Sequence, residues 1–316
     1  MPFPLFETKR LDDEARKSAG GSFIQLPDGV THFELSNDSP LPEGAPFGDD
    51  KGLGVREIVV LVHGFSVPYF IFDPTFDFLT QSGFRTLRYD LFGRGFSDRP
   101  HVRYNIDLFV RQLLDLLDAL RFASTGLSAG TRPVSLIGLS MGGPITATFT
   151  ARHPGRVKSL TLIDPAGVRP VSLTPTLKAM KLPGIAEAVF GVVGSESLLK
   201  SAAKDFFDPE MVGMFLDKYK VQMQYKGFKR AILSSVRNNM LGSFMESYKA
   251  VGKMDKPVSI FWGRNDITVP FEHSHDLRAA MPNAEFHVIE DCGHIPHYEK
   301  PAEFNPILLE FLERNA

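Results

Sequence analysis

Apolar residues fall into two rhythms along this chain. Glu57 to Val62, Arg85 to Tyr89, Val134 to Leu139 and Val157 to Ile163 are short runs rich in aliphatic and β-branched residues, the pattern of strands buried on both faces of a parallel sheet. Between them, Ile106 to Leu120 repeats leucine and valine at helical spacing, and Gly143 to Arg152 predicts a second helix. Strand followed by helix, repeated, predicts an open parallel sheet wrapped by helices, because right-handed crossovers leave few other topologies. Upstream, Ser22 to Leu26 and Val30 to Leu35 flank Pro27-Asp28-Gly29 and predict an antiparallel hairpin. A loop rich in Pro, Gly and Asp follows, from Asn37 to Gly54.

The alternation stops near Asp164-Pro165-Ala166-Gly167 and resumes with Val258 to Trp262. A helix from Phe271 to Ala280, a strand from Glu285 to Ile289 and a helix from Ala302 to Arg314 complete it. The interval carries helical stretches, Pro209 to Met223 and Phe228 to Met240. Six of the ten methionines lie there (Met180, Met211, Met214, Met223, Met240, Met245), with Phe190, Phe206, Phe207, Phe215, Phe228 and Phe244. The reading is a helical insertion whose aromatic and thioether side chains fill its own small core, with a share of them left to line an adaptable apolar cavity. The expected division is a mobile N-terminal segment (1–20), a core (21–165 and 251–316) and the insertion (166–250).

The length of 316 residues, about twice the usual single-domain span, suits one large α/β domain carrying an insertion. A formal net charge of -2 argues against a nucleic-acid partner, which needs clustered Lys and Arg. The insertion is locally basic, with twelve Lys and Arg against seven Asp and Glu, densest at Lys218, Lys220, Lys226, Lys229 and Arg230. A solvated helix face is the expectation, and steering of anionic substrates or peripheral contact with anionic lipid is the alternative. Nothing approaches a membrane span, and the N-terminus lacks a secretory apolar region. The single cysteine, Cys292, rules out an intramolecular disulfide and any multi-cysteine metal site, and points to a cytoplasmic location. It is expected to be a small buried residue rather than a reactive thiol.

Gly138-Leu139-Ser140-Met141-Gly142-Gly143 stands between a predicted strand and a predicted helix, the context that gives a G-x-S-x-G match its meaning. A nucleophile on so sharp a turn needs glycines on either side, and the helix N-terminus beside it favours an oxyanion. Serine needs a base, and the base needs a group that holds its tautomer. Asp266 lies just beyond one predicted strand and His294 beyond the next, 126 residues after Ser140 and a further 28 on. Both sit where open α/β sheets bind ligands. Asp164 also follows a strand and is the lesser candidate for the acid. Met141 N–H and an N–H from the loop His63-Gly64-Phe65-Ser66 are the expected oxyanion donors, with His63 ordering that loop. His294 and His297, three residues apart, lack a carboxylate pattern for a metal, so neither metal nor cofactor is expected.

With His63-Gly64, the GLSMGG elbow, WGRND and GHIPHYEKP in this order, the chain from about 55 to 314 resembles the α/β-hydrolase superfamily. The resemblance implies an α/β-hydrolase fold, a mostly parallel eight-stranded sheet flanked by helices, with the insertion as a helical cap. It also implies a Ser140-Asp266-His294 triad and Phe65 as the second oxyanion donor, and Gly93 to Asp98 is similar to a structural turn of that family. Serine at the elbow disfavours haloalkane and epoxide opening, which use aspartate there. Relatives that cleave carbon-carbon bonds typically carry GNSMGG and a tryptophan after the histidine, whereas this chain has Leu139 and Ile295. It is more similar to carboxylesterases and monoacylglycerol-lipase-like enzymes, which implies a small-molecule ester with an apolar acyl group as substrate. Phe65, Tyr69, Phe70, Phe72, Phe76 and Phe78 are expected to divide between an acyl wall and the core. Carbon-carbon, lactone or thioester hydrolysis on the same triad, a perhydrolase side activity, and a ligand-binding or receptor role on the same fold are the alternatives.

Overall fold

The computed structural model describes residues 7–36, 57–120, 133–170 and 184–316. The loop from Asn37 to Gly54 and residues 171–183 of the insertion, Met180 among them, lie outside the described residues. Eight strands form one sheet: β1 (Ser22–Leu26), β2 (Gly29–Leu35), β3 (Ile58–Val62), β4 (Arg85–Tyr89), β5 (Val134–Leu139), β6 (Val157–Ile163), β7 (Val258–Gly263) and β8 (Glu285–Ile289). Their order is β1-β2-β4-β3-β5-β6-β7-β8. β2 pairs antiparallel with β1 and with β4, and every other pairing is parallel. The predicted hairpin and parallel sheet are both present.

The period of two along a strand sends neighbouring side chains to opposite faces. In β3, Val60 and Val62 join Leu113 and Phe149 on one side, while Val59 and Leu61 join Phe76 and Phe304 on the other. All four strand residues are fully buried, each contributing about 1.5–3 kcal/mol of apolar transfer free energy. The helices of the described residues are α1 (Asp13–Lys17), α2 (Asp73–Gln81), α3 (Ile106–Ala119), α4 (Gly142–Arg152), α5 (Ile185–Ala203), α6 (Val212–Met223), α7 (Phe228–Arg237), α8 (Met245–Gly252), α9 (His273–Ala280), α10 (Pro296–Glu299) and α11 (Pro301–Arg314). Asn105 starts α3 by accepting a hydrogen bond from Leu108 N–H at 3.0 Å, which satisfies one of the donors a helix start leaves open.

The insertion contributes α5, α6 and α7. Its aromatic residues join the core rather than standing apart: Phe215 packs edge-on to Phe206, to Phe70 and to Tyr298, with ring centroids 4.9–5.3 Å apart. Phe72 and Phe76 are buried in the same cluster. Met214 is 82% exposed, so the methionines do not share one role.

Local contacts tie the insertion and the N-terminal segment to the rest of the chain. α8 packs on α4. Tyr248 Oη donates to the Ala166 carbonyl at 2.5 Å, and Ser247 hydrogen bonds Thr148 of α4. Residues 7–20 hold α1 and reach α7 of the insertion. Glu7 accepts from the N–H groups of Gly227 and Lys229 at the start of α7, and Lys9 pairs with Tyr225 as an isolated bridge. Asp98 and Arg99, in the turn after β4, are half-buried. Asp98 accepts from Arg16 and Val30 N–H, and Arg99 donates to the Ser97 and Gly95 carbonyls. On the basic face of the insertion, Lys218 pairs with Asp73 and Lys220 with Asp217, while Lys229 and Arg230 donate to main-chain carbonyls.

Candidate active site

β5 ends at Leu139 and α4 begins at Gly142, leaving Ser140 and Met141 to make the turn. Ser140 adopts φ 52°, a left-handed conformation uncommon for a side-chain-bearing residue. Strain of this kind costs on the order of 1–3 kcal/mol and persists only where the surroundings over-determine it. They do so here. Ser140 N–H donates to Ile163 O of β6, and the Ser140 carbonyl accepts from Gly143 and Ala166. A Cβ on Gly138 would overlap Thr146 and the Gly142 carbonyl, and one on Gly142 would overlap the Val62 carbonyl. Only glycines let β3, β5 and α4 close on this turn.

The His63–Ser66 loop lies against Ser140: a Cβ on Gly64 would stand 3.1 Å from Ser140 Cβ. His63 Nε2 accepts from Leu91 N–H at 2.9 Å, which puts the ring proton on Nδ1, where it donates to the Gly64 carbonyl at 3.0 Å. Burial pushes the His63 pKa down to about 4, so the ring stays neutral and keeps both bonds. Arg94 Nε donates to the Phe65 carbonyl at 2.8 Å, and Gln222 of α6 donates to the Ser66 carbonyl at 2.6 Å. The N–H groups of Phe65 and Met141 make no hydrogen bond to another described residue. Two free donors beside a strained serine are what an oxyanion site requires.

Asp266 and His294 occupy the loops after β7 and β8. His294 Nδ1 lies 2.7 Å from Asp266 Oδ2, with both side chains almost wholly buried. Asp266 Oδ1 accepts from Thr268 and Val269 N–H, which leaves Oδ2 for the histidine. Burial disfavours the imidazolium of His294, but the charge and hydrogen bond of Asp266, with Asp205 adding to them, outweigh it and raise the pKa. The Ser140 hydroxyl has no hydrogen bond to a described residue. Serine and imidazole are thus not joined in this structure, and such bonds commonly tighten only when substrate binds.

Asp164 stands beside this pair. Gly263 N–H donates to its Oδ1 at 2.9 Å, and polar atoms of Asp164, Asp266 and His294 lie within 4.8 Å of one another. Burial first, and then the nearby Asp266 charge, hold the Asp164 carboxyl well above the usual carboxylate range. A metal ion among these three groups would compete with the Asp266–His294 bond. His297 does not join them; its ring packs on Phe72 at 4.8 Å.

Two groups near His294 were not among the expected site residues, although Glu299 lies within GHIPHYEKP. Asp205, just after α5, accepts His294 N–H on its backbone carbonyl at 2.7 Å and Thr268 Oγ1 on its carboxylate at 2.7 Å, and burial pushes its pKa up to about 6. Glu299 accepts Gly293 N–H at 2.8 Å and the N–H groups of Phe207 and Asp208 at 2.7 and 2.6 Å. Both fasten the insertion to the histidine loop, and the Asp205 carbonyl, being main chain, leaves no residue pattern to read. Cys292 is fully buried beside Glu299, as a small core residue.

Among the described residues, no helix is long and apolar enough to cross a membrane. A 2-hydroxy-6-oxononadienedioate/2-hydroxy-6-oxononatrienedioate hydrolase 1 of Dechloromonas aromatica is 30% identical over 307 residues, covering 94% of this chain and 96% of the relative. The fold is shared with a meta-cleavage product hydrolase from Pseudomonas fluorescens (TM-score 0.72, 22% identity, 94% and 98% of the two chains). It is shared equally with a thermophilic esterase from Thermogutta terrifontis (TM-score 0.70, 21% identity, 94% and 99%). Residues 59–307 match the sequence profile of the Alpha/beta hydrolase family, and on that match, the sheet order and the turn at Ser140, the chain belongs to that family.

Proposed function

We propose that this protein is a serine hydrolase of carboxylic esters that works through an acyl-enzyme. The observation that carries the reading is the strained Ser140 turn with the unpaired Phe65 and Met141 N–H groups beside it. Ser140 Oγ attacks the ester carbonyl carbon while His294 Nε2 takes the hydroxyl proton. Asp266 holds the opposite ring N–H and stabilises the imidazolium. The carbonyl oxygen gains the electron pair and is held by the two N–H groups. On collapse the C–O bond to the leaving group breaks, and the alkoxide takes the proton from His294. Water, deprotonated by His294, then attacks the acyl-enzyme and releases the acid and Ser140.

A second reading is hydrolysis of a carbon-carbon bond, favoured by the name of the Dechloromonas relative at 30% identity. That name describes a dicarboxylate. His294 here faces the charges of Asp266 and Asp205, a setting that suits a neutral ester better than a dianion. Leu139 and Ile295 at the two positions discussed above support the same choice. The discriminating experiment compares kcat/KM for p-nitrophenyl esters of increasing acyl length with kcat/KM for a 2-hydroxy-6-oxo-dienoate. The ester reading predicts an acyl-length optimum above the dienoate value; a higher value for the dienoate assigns the site to carbon-carbon cleavage.

A further inference from the structure

α6 buries Phe215, Tyr219, Gln222 and Met223, an apolar stripe broken by one amide. Gln222 is 1% exposed, a placement that is costly unless both ends of the amide are satisfied. Its Oε1 accepts Gly95 N–H at 2.7 Å, and its Nε2 donates to the Ser66 carbonyl at 2.6 Å. The first partner belongs to the turn after β4 and the second to the loop beside Ser140. A cap helix therefore reaches both.

Three consecutive carbonyls of that loop are each taken by a different side chain: Gly64 by His63, Phe65 by Arg94 and Ser66 by Gln222. A peptide group is planar with its C=O and N–H pointing opposite ways, so holding the carbonyl of one residue aims the N–H of the next. The three clamps thus orient the N–H groups of Phe65, Ser66 and Val67 in turn: the first two hold the peptide planes on either side of Phe65, and the third, from Gln222, anchors the Ser66–Val67 peptide that follows and so the far side of the loop.

We propose that Gln222 is a positioning residue for the oxyanion loop, so that seating of the cap helix α6 and competence of the Phe65 N–H are coupled. This rests on the acyl-transfer reading given above. It makes the cap part of what shapes the transition state, in addition to covering the substrate.

The test uses Gln222→Glu, nearly the same shape, and Gln222→Met, with Ser140→Ala as reference, on one p-nitrophenyl ester and one trifluoromethyl ketone of matching chain. The ketone adds Ser140 Oγ to its carbonyl carbon and imitates the tetrahedral state. In the folded variants kcat is expected to fall about tenfold to a hundredfold, with KM nearly unchanged. The ketone inhibition constant should rise in parallel with the loss in kcat/KM, a correlation that a purely structural role would not produce. Full kcat and unaltered ketone binding in a folded variant would overturn the inference while Ser140→Ala stays inactive and the acyl-transfer reading stands. Turnover surviving in Ser140→Ala would instead remove that reading. Should both Gln222 variants fail to fold, hydrogen exchange on the wild-type protein decides. Segments 64–67 and 212–223 should gain protection together on ketone binding, and protection of the loop alone would contradict the coupling.

Discussion

Ser140, Asp266 and His294 each sit at the C-terminal end of a strand, and their chemistry is set by a few neighbours within reach of a hydrogen bond. The imidazole must be neutral to accept the Ser140 proton, and the Asp266 and Asp205 charges raise its pKa. The acidic limb of kcat/KM is therefore expected above the ordinary histidine value of about 6.5. Asp205→Asn removes one of the charges that favour the imidazolium, so the limb should move to lower pH. A pH profile of the variant checks this, and an unmoved limb would show that Asp205 does not act on His294. The Ser140 turn and the Asp266–His294 pair were legible because each residue belongs to a local motif whose glycines and strand context are written in adjacent residues. Asp205 was not, because it meets His294 through a backbone carbonyl contributed from the insertion, 89 residues earlier.

At the scale of elements, the strands and core helices follow from apolar period, and the strands lie within a residue or two of their expected bounds. Elsewhere tertiary contact decides. α8 has the composition of the insertion but packs on α4 through Ser247, while Tyr248 reaches the Ala166 carbonyl. The segment 7–20 has no apolar period to announce it, yet the Glu7 carboxylate accepts two N–H groups at the start of α7, 2.7 and 2.5 Å away. An anion there satisfies open donors and meets the positive end of the helix dipole. Glu7→Ala should cost about 1 kcal/mol, read as a drop in melting temperature of roughly 2–4 °C. No change in melting temperature would mean that the clasp between the N-terminal segment and the cap adds nothing to stability.

For the whole molecule, buried neutral histidines make stability depend on pH. His63 and His297 are held near 4 and near 3 by burial, below the ordinary value. Between about 6.5 and those values the unfolded chain binds more protons than the folded one, so stability rises with pH through that window and is lost as pH falls through it. These two histidines by themselves lower the melting temperature from pH 7 to pH 5, while the raised carboxyls of Asp164 and Asp205 act in the opposite direction. His297→Phe, which keeps a ring against Phe72 and Phe304, should flatten that slope; an unchanged slope would place the dependence elsewhere. The central claim concerns one bond, that between Ser140 Oγ and an acyl carbon. Rapid acid quench of the protein turning over a p-nitrophenyl ester, followed by peptide mass measurement, tests it most directly. The account predicts an acyl adduct on the peptide carrying Ser140, absent from Ser140→Ala together with turnover. Undiminished turnover in Ser140→Ala, with no adduct on the wild-type peptide, would contradict it.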